Sequence, residues 1–221
     1  VVRCLTEPIR DVEMSTIVPG TVANIHYGEG NHVRTGEIVI ELESRSEKID
    51  IERRSVLSEN LQATLERSEM LLANTSSISM EEVDEARSEY RISKLELDLA
   101  REALNKKQVK APFDGVVTEL PLEVGEYCEP PEIILRLVDT SRFYCVSNID
   151  PSMATGLKLN DPVVYIAGNG FGGSRLPGEI VFISPVVDPA SGLLRIKAVF
   201  ANPEGLIRPG EGGFLELPEE D

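Results

Sequence analysis

Two kinds of apolar periodicity divide the chain. Over residues 20–42, and again over 115–137, apolar positions alternate with polar ones, which is the period of a strand with one buried face. Between Ser44 and Lys107 the period lengthens to that of a helix. Val83, Tyr90, Leu97 and Leu104 recur every seven residues, with Ala86, Ser93 and Ala100 between them. In the preceding arm Leu57, Leu61, Leu65 and Leu72 form a stripe expected to pack on that face as an antiparallel coiled coil. The reversal is expected near residues 74–78, because Ser79 and Glu82 have the spacing of a capping box and Ile78 and Val83 that of a hydrophobic staple. Arms of roughly 28 to 30 residues, at 1.5 Å per residue, predict a projection of about 45 Å. All 17 Gly and all 14 Pro lie outside Glu37–Ala111, so turn chemistry is confined to the flanks of this helical segment.

The two alternating stretches are copies of each other. Residues 20–42 align with 115–137 at a constant offset of 95, without a gap. Gly20 matches Gly115, Val22 matches Val117, Gly30 matches Gly125, Val33 matches Cys128, and the run Ile38 to Leu42 matches Ile133 to Leu137. Two such halves predict a small sandwich with near two-fold symmetry.

Gly20-Thr-Val-Ala-Asn-Ile, Gly30-Asn-His-Val-Arg-Thr-Gly36-Glu-Ile-Val-Ile-Glu-Leu and Ala111-Pro-Phe-Asp-Gly115-Val-Val resemble the two halves of a biotinyl/lipoyl-type domain. Here 64 residues, Ser44 to Lys107, replace the short hairpin that joins such halves. A lipoyl-like domain split in this way resembles the periplasmic adaptor, or membrane fusion protein (HlyD-like), family. The resemblance implies a mainly β fold with an α-helical hairpin. Its parts are a split sandwich over 13–43 and 108–138, a coiled coil over 44–107, and a small antiparallel β-barrel from 1–12 and 139–217, with 218–221 opening a truncated membrane-proximal region. It further implies a periplasmic adaptor of a tripartite efflux pump, anchored to the inner membrane through a segment absent from this chain. The expected partners are an inner-membrane transporter, an outer-membrane channel, and further copies of the chain in a ring of three or six. A resistance-nodulation-division transporter is favoured over an ABC one. Adaptors of ABC exporters or type I secretion systems are the nearest alternative, and a lipoyl or biotinyl carrier is a remote one.

Adaptors of this kind that dock on an exit duct carry an Arg, a Leu four residues later and a Ser seven further on at the hairpin tip. Arg67 and Leu71 match the first two, and the third falls on Ile78, one residue before Ser79. Arg67, Leu71 and Ser79 are therefore candidate contacts, although Ser79 has a sufficient structural task as N-cap. A second apolar stripe, Ile92, Leu95, Leu99 and Ala103, lies roughly opposite the heptad face, and Ile49, Val56, Ala63 and Met70 recur every seven residues in the first arm. One two-helix seam does not obviously use both faces, so Ile92, Leu95 and Leu99 are candidates for packing against a neighbouring copy or a partner. A wide intramolecular seam with a few exposed side chains is the alternative.

After Asp139 short strands are expected at Phe143 to Ile149, Val163 to Ala167, Glu179 to Ser184, Leu193 to Phe200 and Phe214 to Leu217, with a helical turn or short helix in Pro151 to Leu157. The Gly-rich run 168–173 has no Gly-Lys-Ser/Thr after it and reads as a hairpin loop.

Charge narrows the choice of partners. Lys and Arg number 22 against 38 Asp and Glu, a formal charge of −16, which argues against a nucleic-acid binder. The helical insert has 14 acids and 11 bases, so most of the excess sits on the β-rich flanks. No run reaches the roughly 18 to 20 apolar residues of a membrane span, and the start at Val1 without Met reads as a trimmed or mature fragment. No nucleophile elbow, H-E-x-x-H or paired-Cys motif occurs, so no catalytic, metal or cofactor residue is expected. His26 and His32, six residues apart across a Gly-containing turn, are expected on the surface or in packing. Glu43-Ser44-Arg-Ser-Glu-Lys48 is the best argument for a carrier lysine, and Lys48 falls inside the first arm of the predicted hairpin rather than on an exposed tight turn. Cys4, Cys128 and Cys145 are expected as small hydrophobes in strands, with a disulfide or a reactive thiol as the alternative.

Overall fold

The computed structural model describes residues 1–75, 77–168, 175–203 and 205–218. A long strand, β1 (Val2–Ser15), leads into the first half of the repeat, β2 (Gly20–Ile25), β3 (His32–Val33) and β4 (Ile38–Leu42). The helices α1 (Arg45–Thr75) and α2 (Met80–Asn105) follow, then the short β5 (Gln108–Lys110). The second half supplies β6 (Gly115–Glu119), β7 (Tyr127–Cys128) and the start of β8 (Ile133–Ile149). β9 (Pro162–Ala167), β10 (Arg175–Val187), β11 (Leu194–Ala201) and β12 (Gly212–Glu216) complete the order. The helical segment expected after Asp150 is one 3₁₀ turn, Pro151–Ala154, capped by the Asp150 carboxylate. The Gly-rich loop beyond Gly168, and residues 219–221, lie outside the described residues.

Each half of the repeat completes the other. β2 pairs with β7 and β3 with β6, so neither half closes a sheet without strands from its counterpart. The equivalent positions share one core: Val22 and Val117, Val33 and Cys128, Val39 and Ile134, Ile40 and Leu135, and Leu42 and Leu137 are all buried. Alternation sends Ile40 and Leu42, and Leu135 and Leu137, to one face of their strands, whereas their neighbours Val39 and Ile134 are buried on the other face, so this stretch of each half is covered on both sides.

The barrel runs β1–β12–β9–β10–β11–β8 and closes where β8 pairs back to β1. Phe143, Tyr165 and Phe200 fill it, with ring centroids 5.1 to 5.7 Å apart. β1 pairs with β12 up to Leu5 and with β8 from Leu5 onward. This change of partner brings the Cα atoms of Cys4 and Cys145 to 5.8 Å, and the two cysteines form a disulfide. The expectation of three plain hydrophobes therefore holds for Cys128, which is buried and unpaired, and is corrected for the other two. Their 141-residue separation hides a proximity that strand register alone creates.

β1 and β8 are shared between sandwich and barrel. β8 pairs with β6 at Val116↔Val138 and with β11 from Ala201↔Arg142 onward, and both strands pass Arg10↔Asp139 without ending. Arg136 grips this ribbon by ion pairs to Asp11 and Glu119, both at 2.8 Å.

The coiled-coil face of α2 is as expected, with Val83, Ala86, Ser93, Leu97 and Ala100 buried. The face of α1 is not the leucine stripe. Leu65 is buried and Leu61 and Leu72 are partly so, but Leu57 is 47% exposed, while Ile51, Arg54, Ser58 and Ser68 turn inward. Residues spaced by four rotate about 40° per step around the helix, so a stripe at 57, 61 and 65 drifts away from the partner. The three-four alternation 51, 54, 58, 61, 65, 68, 72 stays on the seam.

Candidate docking surfaces

The hairpin stands on the sandwich through its root. Lys107, just after α2, donates from Nζ to the Pro19 carbonyl at 3.0 Å and lies 3.8 Å from Glu47 in the first turn of α1. Lys48 donates to Glu41 of β4 at 3.1 Å, and that hydrogen bond holds the Glu41 carboxyl below its ordinary range. The lysine considered for a carrier is thus a root contact on a helix. Along the arms Arg54 bridges Asp50 to Glu96 and Arg87 bridges Asp84 to Glu69, tying the two helices together.

At the far end, Ser79 accepts from the Glu82 N–H at 3.2 Å while the Glu82 carboxylate accepts from the Ser79 N–H at 2.7 Å, the complete capping box. Ile78 packs with Leu65, Val83, Ala86, Leu72 and Tyr90 in a small core of its own. That leaves Ser79, rather than Ile78, exposed beside the turn. Arg67 and Leu71 share an exposed face of α1 one turn apart, and Arg67 has no ion-pair partner among the described residues.

Ile92 and Leu95 are each 58% exposed and Leu99 70%, on the side of α2 opposite its seam. Ile49, Val56, Ala63 and Met70 are exposed on α1, opposite its own seam. Because the two seams face each other, the two stripes lie on opposite outer sides of the hairpin.

A cleft of about 650 Å³ separates sandwich from barrel, with Tyr27, Arg34, Glu37 and Asp114 on one wall and Asp139 and Ser141 on the other. The hydrogen bond with Glu37 pushes the Tyr27 phenol up. His32 opens onto this cleft, whereas His26 lies 3.8 Å from Glu41. Among the described residues no group of three His, Cys, Asp or Glu side chains is placed to hold a metal. No described helix is long and apolar enough to cross a membrane. The root contacts were not anticipated from sequence, since Lys107 and Pro19 are 88 residues apart and no local pattern links them.

Residues 10–139 match the family described as CzcB-like, barrel-sandwich hybrid domain. Among curated proteins, the nodulation protein NolF of Rhizobium meliloti is 24% identical over 97% of this chain and 62% of its own length. The multidrug resistance protein MdtA of Xenorhabdus bovienii is 26% identical over 90% of this chain and 53% of its own. The solvent efflux pump periplasmic linker SrpA of Pseudomonas putida is 23% identical over 93% and 57%. The chain spans about half the length of several of the curated relatives it matches. Among solved structures, a MacA–MexA chimera with the Pseudomonas aeruginosa MexA α-hairpin domain superposes with a TM-score of 0.82 at 19% identity, covering 98% of this chain and 77% of that one. A membrane fusion protein of Streptococcus pneumoniae gives 0.75 at 13% identity, over 100% and 99%. At these identities the structural matches establish the fold.

Proposed function

We infer the function from one premise: the chain belongs to the CzcB-like, barrel-sandwich hybrid domain family, and with it to the membrane fusion proteins or periplasmic adaptors. It is proposed to link an inner-membrane transporter to an outer-membrane exit duct as a non-enzymatic coupler in drug or solvent efflux. The barrel would face the transporter, the sandwich would join a ring of three or six copies, and the hairpin would reach the duct. The multidrug-resistance and solvent-efflux names among its relatives support a resistance-nodulation-division partner over an ABC one. The Cys4–Cys145 disulfide supports an oxidising compartment such as the periplasm.

The observation that carries the proposal is the hairpin itself. It is a two-helix arm inserted between the halves of a sandwich, its tip closed by a capping box and its outer sides still apolar. Such faces mark interaction sites. Arg67, Leu71 and Ser79 are assigned to the duct contact, and Ile92, Leu95 and Leu99 to lateral packing. A photo-crosslinking amino acid at position 67 or 71, activated in cells of the native host, should yield an adduct that mass spectrometry identifies as an outer-membrane channel. Adducts confined to cytoplasmic proteins would overturn the reading.

A further inference from the structure

We propose that Met70 and Met80 form an oxidation-sensitive site at the hairpin tip, and that a peroxide, by converting their thioethers to sulfoxides, makes the docking face polar and releases the partner. This deepens the tip-docking reading above and rests on it. The chain has four methionines, three cysteines and no Trp. Its thiols are shielded from oxidants. Cys4 and Cys145 are already joined, and Cys128 is fully buried, which pushes its thiol up and away from the reactive thiolate. The thioethers remain. Met14 packs against the sandwich core, whereas Met70 is 58% and Met80 57% exposed, the two most open of the four, ahead of Met153 at 43% in the 3₁₀ turn.

Both stand where the tip would meet its partner. On α1, Met70 lies three residues after Arg67 and next to Leu71, so helical spacing puts the three on one exposed face. Met80 is the first residue of α2, directly after the Ser79 cap. Leu72 and Ile78 belong to the small core that closes the tip, and each of the two methionines is two residues from one of them without belonging to that core itself. A flexible, polarisable thioether suits a docking surface because it adapts to the shape it meets. In the oxidation the sulfur attacks one oxygen of hydrogen peroxide. An S–O bond forms as the O–O bond breaks, and the departing hydroxide takes the proton from the new S–OH and leaves as water. Sulfur is oxidised and the peroxide reduced, and a polar sulfoxide stands where an apolar side chain stood. The buried seam of the hairpin is untouched, so docking weakens while the arm keeps its fold. Methionine sulfoxide reductases would return the site to its first state.

The test uses the full chain in cells of the native host, with the photo-crosslinking amino acid at position 67, before and after brief exposure to hydrogen peroxide. Peptide mapping by mass spectrometry should show Met70 and Met80 converting roughly fivefold faster than Met14, with Cys128 still a thiol. The channel adduct of the parent chain should fall roughly fivefold on treatment. In a Met70→Leu/Met80→Leu chain the adduct after treatment should match that chain's own adduct before it, and Met153→Leu should respond as the parent does. Circular dichroism of the purified, peroxide-treated chain should retain the helical signal, which separates loss of docking from loss of the hairpin. Oxidation of both methionines with no loss of adduct would overturn the proposal, as would an equal loss in the Met70→Leu/Met80→Leu chain or conversion of Met14 at the same rate. The tip reading fails separately, in the untreated arm: no channel adduct before peroxide defeats the docking assignment, and the release with it.

Discussion

The N–H of Gly30 donates to the carbonyl of Val117 at 2.8 Å. At the same offset of 95, the N–H of Gly125 donates to the carbonyl of Val22 at 2.9 Å. Both glycines have positive φ, 82° and 96°, so each half of the repeat ends its first strand in a turn that only glycine adopts readily, and each turn latches onto the other half. The sandwich is therefore closed by reciprocal bonds across the helical insert, and the hairpin grows from a finished platform.

The equivalence breaks down at Gly20 and Gly115, which predicts unequal tolerance. A Cβ at Gly115 would lie 2.8 Å from the Val138 carbonyl oxygen, whereas one at Gly20 would meet only side-chain atoms, at 3.2 Å and beyond. Gly115→Ala should destabilise by about 1–3 kcal/mol, and Gly20→Ala by less, in urea unfolding of the two variants side by side.

The disulfide fastens β1 at the point where it changes partners and so helps close the barrel. Its 141-residue span places it among long loops. Replacing Cys4 and Cys145 together by Ala should cost about 2–5 kcal/mol. Reductant should lower the unfolding midpoint of the parent chain and leave that of the double variant unchanged.

Within the hairpin, burial separates stability from contact. Leu65 is buried in the tip core and Leu99 is not. Leu65→Ala should cost about 2 kcal/mol, while Leu99→Ala should stay within about 0.5 kcal/mol and act on self-association instead, measured by thermal unfolding and sedimentation of the same samples.

Ser79 combines a cap with a proposed contact, and two substitutions separate them. Ser79→Ala should destabilise the hairpin by about 1 kcal/mol. Ser79→Asp should keep the cap, so a loss of the tip crosslink with unchanged helicity would assign Ser79 to the duct, and retained crosslinking would leave it as a cap alone.

The Asp11–Arg136 pair predicts an acid limit. The hydrogen bond from Arg136 holds the Asp11 carboxyl below its ordinary value of 3.8. A carboxylate with a depressed folded value contributes fully above its unfolded value and loses that contribution as pH falls through the folded one. This contribution should be constant from pH 5 to 8 and decline below about pH 4. Asp11→Asn should reduce the parent chain's loss of stability between pH 5 and 3 in urea titrations.

Much of the fold was legible in the sequence because its signals are local or repeated. Strand alternation put Ile40, Leu42, Leu135 and Leu137 inside, heptad spacing put Val83 and Leu97 on the seam, and the Ser79–Glu82 spacing located the second helix start. Of the candidate site, the exposed stripe at Ile92, Leu95 and Leu99 was legible for the same reason, since a helix fixes which of its own residues share a face.

What the sequence by itself determined was the main strands and both helices, and the seam face of α2, because φ/ψ preference and periodicity act within a few residues. Only the tertiary structure decided which faces meet. The Cys4–Cys145 bond depends on β1 passing from β12 to β8. The inward turn of Ser58 in place of Leu57 depends on how α1 lies against α2. β5 and β7 form opposite edges of the four-stranded sheet because β4 and β2 separate them. Each of these is a relation between residues distant in the chain, set by register and packing, and no local preference encodes it.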